Sequence, residues 1–530
     1  MNLLKPSPPK TEGINCPKIF GRRRINERYA QFLEDESKLI GTSVANLYFP
    51  RNSEEVSTAI REISQREEGV VVSGGRTGIT GGAVPVEVKN LISLERMVRP
   101  IRVFKDENSG EWRAWVTAGV RLADLLSSLK KQNFMVEKEK PPRELFYPVD
   151  PTETLAHLGG TVATNASGAR TLYFGPTRDW VRWIKVVLAD GSILELRRGE
   201  VTAEGRELRL LRTDGTETKI ILPSIHMPKT KNTAGYFIKE GMDAIDLFIG
   251  SEGTLGIITE IEFKLIEMPK EFLYACVFFR SEEQVVEFVA KIKSNPTLKP
   301  LALEYFDPNS LVLLRKKRQE EGSSSNIPNL SDKTEAILYI EIAFSTEEEL
   351  GEIYSGLKKL LAEVEMGMEE SWAGFEYHDL EMMKLFRHAL PETVNTIISH
   401  RKRKIPELHK IGTDMAVPDE HLGHILKFYR SKLEEARLEY VIFGHIGNGH
   451  LHINILPRSA EELARGFMIY KEFACEVVRL KGSVSAEHGI GRMKKDFLAI
   501  QYSREIIEQM YNIKKCFDPM GVLNPGVLFN

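Results

Sequence analysis

Apolar and polar positions divide the chain into short strands, amphipathic helices and glycine-rich turns. Residues 1 to about 30 show no periodicity and read as an irregular arm. After Arg51, the residues Val56, Ala59, Ile60 and Ile63 fall on one helical face, and Asn52 with Glu55 has the form of a capping box. Val70–Val72 is a β-branched run, read as a buried strand, and five glycines in nine positions follow it. Val84–Val86, Asn90–Leu94 and Trp112–Ala118 read as further strand, and Leu122, Leu125, Leu126 and Leu129 mark a helix. Val181–Ala189 and Ser192–Leu196 predict a hairpin through Asp190-Gly191. Ile257–Leu265 predicts a strand with Ile257, Ile261, Phe263 and Leu265 on one face.

A second regime begins near Pro269. Strands are expected at Phe272–Phe279, Leu301–Phe306 and Ala336–Phe344, and helices at Glu282–Lys293 and Thr346–Val364. A last strand within Tyr440–Leu456 completes a βαββαβ order, which predicts a ferredoxin-like sheet. Gln319–Asp332 reads as a mobile surface loop and Glu369–His400 as a helical insertion. No internal repeat is present.

With 530 residues, 42% of them hydrophobic, the chain can build about three domains with large cores. A net charge of −3 offers no footprint for nucleic acid. Cys16, Cys276, Cys475 and Cys516 are far apart, so no CxxC metal motif or disulfide framework exists. That usage suits a reducing, cytoplasmic setting. Met1–Lys10 lacks the apolar stretch of a signal peptide. No apolar run reaches the ~20 residues of a membrane span, and peripheral membrane contact stays open.

Three small-residue zones carry candidate chemistry. The first is the loop Ser73, Gly74, Gly75, Arg76, Thr77, Gly78, Ile79, Thr80, Gly81 and Gly82. Successive free N–H groups in such a loop make an anion-binding concavity. The alternative is an ordinary glycine-rich turn. The classical dinucleotide fingerprint is argued against, because GxGxxG is absent and strand rather than helix is expected after the loop. The second zone runs from the rigid turn at Pro148 and Asp150 through Gly159 and Gly160 to Thr164, Asn165, Ser167 and Gly168. The third holds Glu252, Gly253, Leu255 and Gly256 before Ile257 and Ile258.

Histidines supply a further centre. His450, His452 and Asn454 alternate along one strand face, and the turn Gly447-Asn448-Gly449 can fold His445 back beside His452. Two such imidazoles suit a divalent ion such as zinc. In Gly482–Gly491, Glu487 can add a carboxylate and His488 can serve as a general base. A polar loop between helices is the plainer reading of that stretch.

Taken in order, these motifs resemble the FAD-linked D-2-hydroxyacid dehydrogenases of the vanillyl-alcohol oxidase/p-cresol methylhydroxylase superfamily, in the branch that oxidises D-lactate, D-2-hydroxyglutarate and glycolate. Ser73–Gly82, Pro148–Gly168, Lys231–Tyr236 with Gly250–Thr259, His445–Asn454, Ser485–Gly491 and Leu523–Gly526 carry the likeness. The resemblance implies an α+β chain: a two-subdomain FAD-binding domain of the p-cresol methylhydroxylase type, plus a ferredoxin-like α+β cap. It divides the sequence into an arm at 1–34, the FAD-binding domain at 35–269, the cap at 270–480 and a C-terminal segment at 481–530 that returns to the FAD domain. It implies that the three zones, with Asn524, hold FAD. It also implies that His445, His452 and Glu487 bind a divalent metal, with zinc the expected ion. His488 then stands at the base position, and Arg387 resembles the arginine that grips the substrate carboxylate. The activity implied is oxidation of a D-2-hydroxyacid to the 2-oxoacid, with hydride transfer to flavin N5. Relatives of the alkyl-dihydroxyacetone-phosphate synthase type share the fold without net redox, and a flavoprotein subunit of a larger oxidase is a further alternative.

Several positions depart from the family pattern. Arg76 stands where relatives usually have glycine, His450 where asparagine is usual, and Pro391 where some relatives carry a substrate-recognising polar residue. His450 is open to three roles: joining the metal, tuning its surroundings or replacing a ligand. No histidine lies in the glycine loop, so FAD is expected to be non-covalent. With no iron–sulfur domain, electrons are expected to leave to a separate acceptor: a quinone, a cytochrome or an electron-transfer flavoprotein. A homodimer is admitted as an assembly.

Overall fold

A computed structural model describes residues 15–322 and 325–530. The first fourteen residues of the arm, and Ser323 and Ser324 of the expected loop, lie outside the described residues.

The chain before residue 270 builds two main sheets. The first has the strand order Lys18–Phe20, Asn46–Tyr48, Asn90–Ser93, Val70–Ser73; the last three are parallel. The second is built on the hairpin Val181–Val187/Ile193–Arg197, the long strand Ile257–Glu267 and Trp112–Thr117. Helix Ser53–Ser64 buries Val56, Ala59, Ile60 and Ile63 among Val70 and Ile92 of the first sheet and Val187 and Ile257 of the second. Its N-cap Asn52 accepts from the Glu55 N–H at 2.8 Å. The Glu55 carboxylate takes the Arg51 N–H instead of closing the box on Asn52.

Beyond residue 270, one eight-stranded sheet dominates. Its first four strands run Ser371–Gly374, Glu271–Phe279, Ala336–Phe344, Pro300–Phe306, which in chain order is the 4-1-3-2 arrangement of a ferredoxin-like unit. Helices Glu282–Ser294 and Glu347–Glu363 supply its crossovers. The hairpin Tyr440–Gly444/His450–Ile455 extends the opposite edge through Pro300–Phe306.

Four expectations are corrected here. Residues 15–34 are not irregular: Lys18–Phe20 pairs into the first sheet, and helix Arg22–Arg28 buries Ile25 against Leu47, Val71 and Leu91. Val84–Val86 is not strand, because Pro85 has no N–H to give a ladder. The fourth ferredoxin strand is Ser371–Gly374, not Tyr440–Leu456, and the following helix is Tyr377–Lys402. The Gln319–Asp332 stretch begins inside helix Pro308–Glu321, and Ile327 and Leu330 are buried in the cap core.

The C-terminus returns to the first domain. Val70 donates to the Val522 carbonyl and accepts from Asn524, each at 2.8 Å, so the last residues pair alongside the first sheet's Val70–Ser73 strand.

Candidate active site at the junction of flavin domain and cap

The three small-residue zones converge on one cavity of about 340 Å³. Its wall includes Gly74, Gly75, Arg76, Thr77, Gly78, Ile79, Thr80 and Gly82 from the first zone, and Gly159, Gly160, Thr164 and Ser167 from the second. Glu252, Gly253, Gly256, Ile257 and Ile258 come from the third, with Asn524, Glu487 and His488 from the C-terminal segment. Ser73, Gly81, Pro148, Asp150, Asn165, Gly168 and Leu255 are not part of that wall. Among the described residues, no backbone N–H of residues 74–80 donates to another protein group. A Cβ placed on Gly78 or Gly160 would meet nothing within 4 Å. A row of free amides facing open space on a mostly apolar wall fits a dinucleotide pyrophosphate.

Two residues of the third zone and the C-terminus lock the wall together. The Glu252 carboxylate accepts from Ile490 and Gly491 N–H at 2.8 and 2.7 Å. Burial raises its pKa to about 7, against the two amides that favour the charged form. Asn524 accepts from Val72 N–H and donates to the Glu252 carbonyl, both at 2.8 Å. Arg76 takes a left-handed φ of 61°, which explains why glycine suits that position. Its guanidinium turns onto the Phe32 ring at 4.5 Å and bonds the Gly74 carbonyl at 3.3 Å. Sequence reasoning missed His157, which lines the cavity beside Gly74 and Gly75 and has a buried, unpartnered Nδ1. Burial, with Arg76 and Arg121 nearby, lowers its pKa to about 4. The only sequence signal was its place directly before Leu158-Gly159-Gly160.

At the cavity end that includes Glu487 and His488, a second constellation begins. His445, His450, His452 and Glu487 offer ligand atoms that all lie within 4.8 Å of one another. The expected turn forms: Gly449 takes φ 60° and brings His445 and His452 rings to 5.3 Å. Around Glu487, His445 Nε2 lies at 3.3 Å, His450 Nδ1 at 3.9 Å and His452 Nε2 at 4.0 Å. Burial alone would raise the Glu487 pKa, but Lys231, His445 and His450 hold it well below the carboxylate range. Lys231, from the flavin-domain segment, ion-pairs with Glu487 Oε1 and donates to the Gly168 carbonyl at 3.3 Å. Imidazoles and one carboxylate, buried and converging, are a donor set that suits a zinc-class ion.

The surrounding carboxylates set the geometry. Glu304, buried on strand Pro300–Phe306, holds His445 Nδ1 at 2.6 Å and Arg387 Nη2 at 3.4 Å. Asp414 is fully buried and accepts from the Glu487, His488 and Ser485 donors at 3.0–3.1 Å. It also sits 3.2 Å from His488 Nδ1 and 2.6 Å from Lys494 Nζ. Burial would raise its pKa, but Lys494 and His488 drive it well below the usual range. The Asp414 carboxylate faces His488 Nδ1 without a hydrogen bond, that nitrogen being buried and unpartnered. Arg387 is thus tied to the cluster through Glu304, with a quarter of its side chain exposed. Glu304 was not singled out from the sequence, and Lys231 and Asp414 were given no role of their own there, since isolated charges inside strands or loops carry no spacing pattern.

Two sheets carrying a glycine-lined cavity, capped by a ferredoxin-like unit with a polar cluster over one end, define an FAD-binding α+β protein of the p-cresol methylhydroxylase type. Family models agree: "FAD binding domain" matches residues 44–197 and "FAD linked oxidases, C-terminal domain" matches 268–528. The chain is 30% identical to a D-2-hydroxyglutarate dehydrogenase of Xanthomonas citri pv. viticola, covering 91% of this chain and 88% of that protein. It is 28% identical to a D-lactate dehydrogenase of Anaerostipes hadrus (98% and 96% covered) and 28% identical to glycolate oxidase subunit GlcD of Bacillus subtilis (91% and 88%). A solved alkyldihydroxyacetonephosphate synthase aligns with a TM-score of 0.61 at 17% identity, over 92% of this chain and 77% of that one, which shows the fold alone. The chain belongs to the FAD-linked oxidase family, in its D-2-hydroxyacid dehydrogenase group, and is an FAD-dependent oxidoreductase. No helix among the described residues is long and apolar enough to cross a membrane.

Proposed function

We propose that this protein oxidises a D-2-hydroxyacid to the 2-oxoacid with non-covalent FAD and a divalent metal, zinc being the expected ion. The observation that carries the reading is that one cavity wall joins the glycine zones to Glu487 and His488, and the histidine cluster begins at Glu487. Residues 35–269 hold the flavin, 270–480 cap the substrate and 481–530 bring Glu487 and His488 back to the flavin.

FAD, once bound, would supply the hydride acceptor for the substrate Cα, and His445, His452 and Glu487 would hold a metal that supplies Lewis acidity toward the substrate hydroxyl. The protein's own residues do the rest. The amides of the 74–80 loop take the pyrophosphate charge. Arg387 binds the substrate carboxylate and fixes which Cα face is presented. His488, whose Nδ1 faces the Asp414 carboxylate at 3.2 Å, accepts the hydroxyl proton. Electrons leave to a separate acceptor: a quinone, a cytochrome or an electron-transfer flavoprotein. A flavoenzyme without net redox has only the likeness of fold in its favour.

Turnover with a D-2-hydroxyacid and an artificial electron acceptor tests the assignment. His488→Ala is expected to lower kcat by roughly 10²–10⁴, the usual reach of a general base. His445→Ala and chelator treatment are expected to abolish turnover while FAD stays bound. Near-wild-type rates in His488→Ala or His445→Ala would overturn the roles given to those residues.

A further inference from the structure

We propose that His450 is a fourth protein ligand, which makes the metal centre a three-histidine, one-glutamate site; this rests on the metal reading of His445, His452 and Glu487. His450 is wholly buried at the start of strand His450–Ile455. Its Nδ1 is buried, has no hydrogen-bond partner and lies 3.9 Å from Glu487 Oε1. A buried imidazole nitrogen pointed at a carboxylate that three histidines share is a ligand waiting for its ion.

His445 and His452 each hydrogen-bond an oxygen at the outer nitrogen, Glu304 Oε1 at 2.6 Å from His445 Nδ1 and the Thr413 carbonyl at 3.2 Å from His452 Nδ1. Such outer partners fix the tautomer and aim the inner nitrogen of a metal-bound histidine. At His450 the Asp414 carboxylate faces Nε2 at 3.2 Å without a hydrogen bond, so both of its ring nitrogens are buried and unpartnered. An asparagine at this position would fill the space without supplying an inward imidazole nitrogen.

The nitrogen-rich set selects an imidazole-preferring transition-metal ion over magnesium or calcium.

The test uses the FAD-loaded protein with Co²⁺ as probe. In proton NMR, each coordinated histidine keeps one exchangeable N–H that the paramagnetic ion shifts far outside the normal range. Three shifted signals that vanish in D₂O are expected; two would overturn the proposal. His450→Asn is expected to leave two such signals and to weaken Co²⁺ at least tenfold in competition with a chelating dye, with FAD still bound. Unchanged affinity would also overturn it. If that variant does not fold, the signal count on the unaltered protein decides. No shifted signals at all would sink the metal reading together with the part given to His450.

Discussion

At the scale of single residues, the site is organised by carboxylates that are not themselves the reacting groups. Glu304 joins His445 to Arg387, and Asp414 joins His488 to Lys494. Glu304→Gln keeps an acceptor for His445 but removes the charge that faces Arg387. It is expected to weaken the metal ten- to a hundredfold, as loss of an outer partner does, measured by chelator competition; unchanged affinity would remove the orienting role. His157 adds a pH effect. Its folded pKa of about 4 lies below the ordinary histidine value, so the unfolded chain binds more protons between about pH 4 and about 6.5. Stability from this group is therefore full above that window and is lost as pH falls through it. Asp150, raised to about 6 by burial, and Glu252, raised to about 7, act with opposite sign. His157→Gln is expected to reduce the acid loss, read as a smaller drop in urea midpoint between about pH 7 and about pH 4.5. An equal drop would contradict the account. The histidines and Glu487 were legible because they cluster in short glycine-bounded motifs. Glu304 and Asp414 were not, because their significance arises only when strands distant in sequence pair.

At the scale of elements, the strongest periodicities were read correctly. The helix at 53–64 follows its apolar stripe and Asn52 cap, and the hairpin at 181–197 turns at Asp190-Gly191. Errors fell where pattern is weak or shared. Ser371–Gly374 is four residues of mixed polarity, so its place as fourth ferredoxin strand went unseen. Tyr440–Leu456 is more apolar and was put there instead. Helix Tyr377–Lys402 carries Arg387 one turn before Pro391. Proline has no N–H to give the Arg387 carbonyl, which leaves that turn without its hydrogen bond. The C-terminal return makes a quantitative claim. Asn524→Ala strands the Val72 N–H and the Glu252 carbonyl in the interior. It is expected to cost about 1–3 kcal/mol in urea denaturation and to loosen FAD. A variant as stable as the parent would show that the clasp is incidental.

On the scale of the whole molecule, the candidate site belongs to no single unit. Lys231 and Ser167 come from the flavin side, Glu304, Arg387 and the histidines from the cap, and Glu487 from the C-terminal return. That division explains why the ordered motifs across the chain indicated the family, while the contacts between them needed the fold. It also ties the flavin side to the C-terminal return, because the same cavity wall carries Gly78, Glu252 and His488. The central claim is hydride transfer from one enantiomer of a 2-hydroxyacid to the flavin. The most direct measurement is anaerobic mixing of the FAD-loaded protein with paired D- and L-2-hydroxyacids, followed by flavin absorbance. Rapid bleaching by a D-hydroxyacid, with its L-enantiomer inert, is the predicted result. A flavin left oxidised by every hydroxyacid, or bleached equally by both enantiomers, would contradict it.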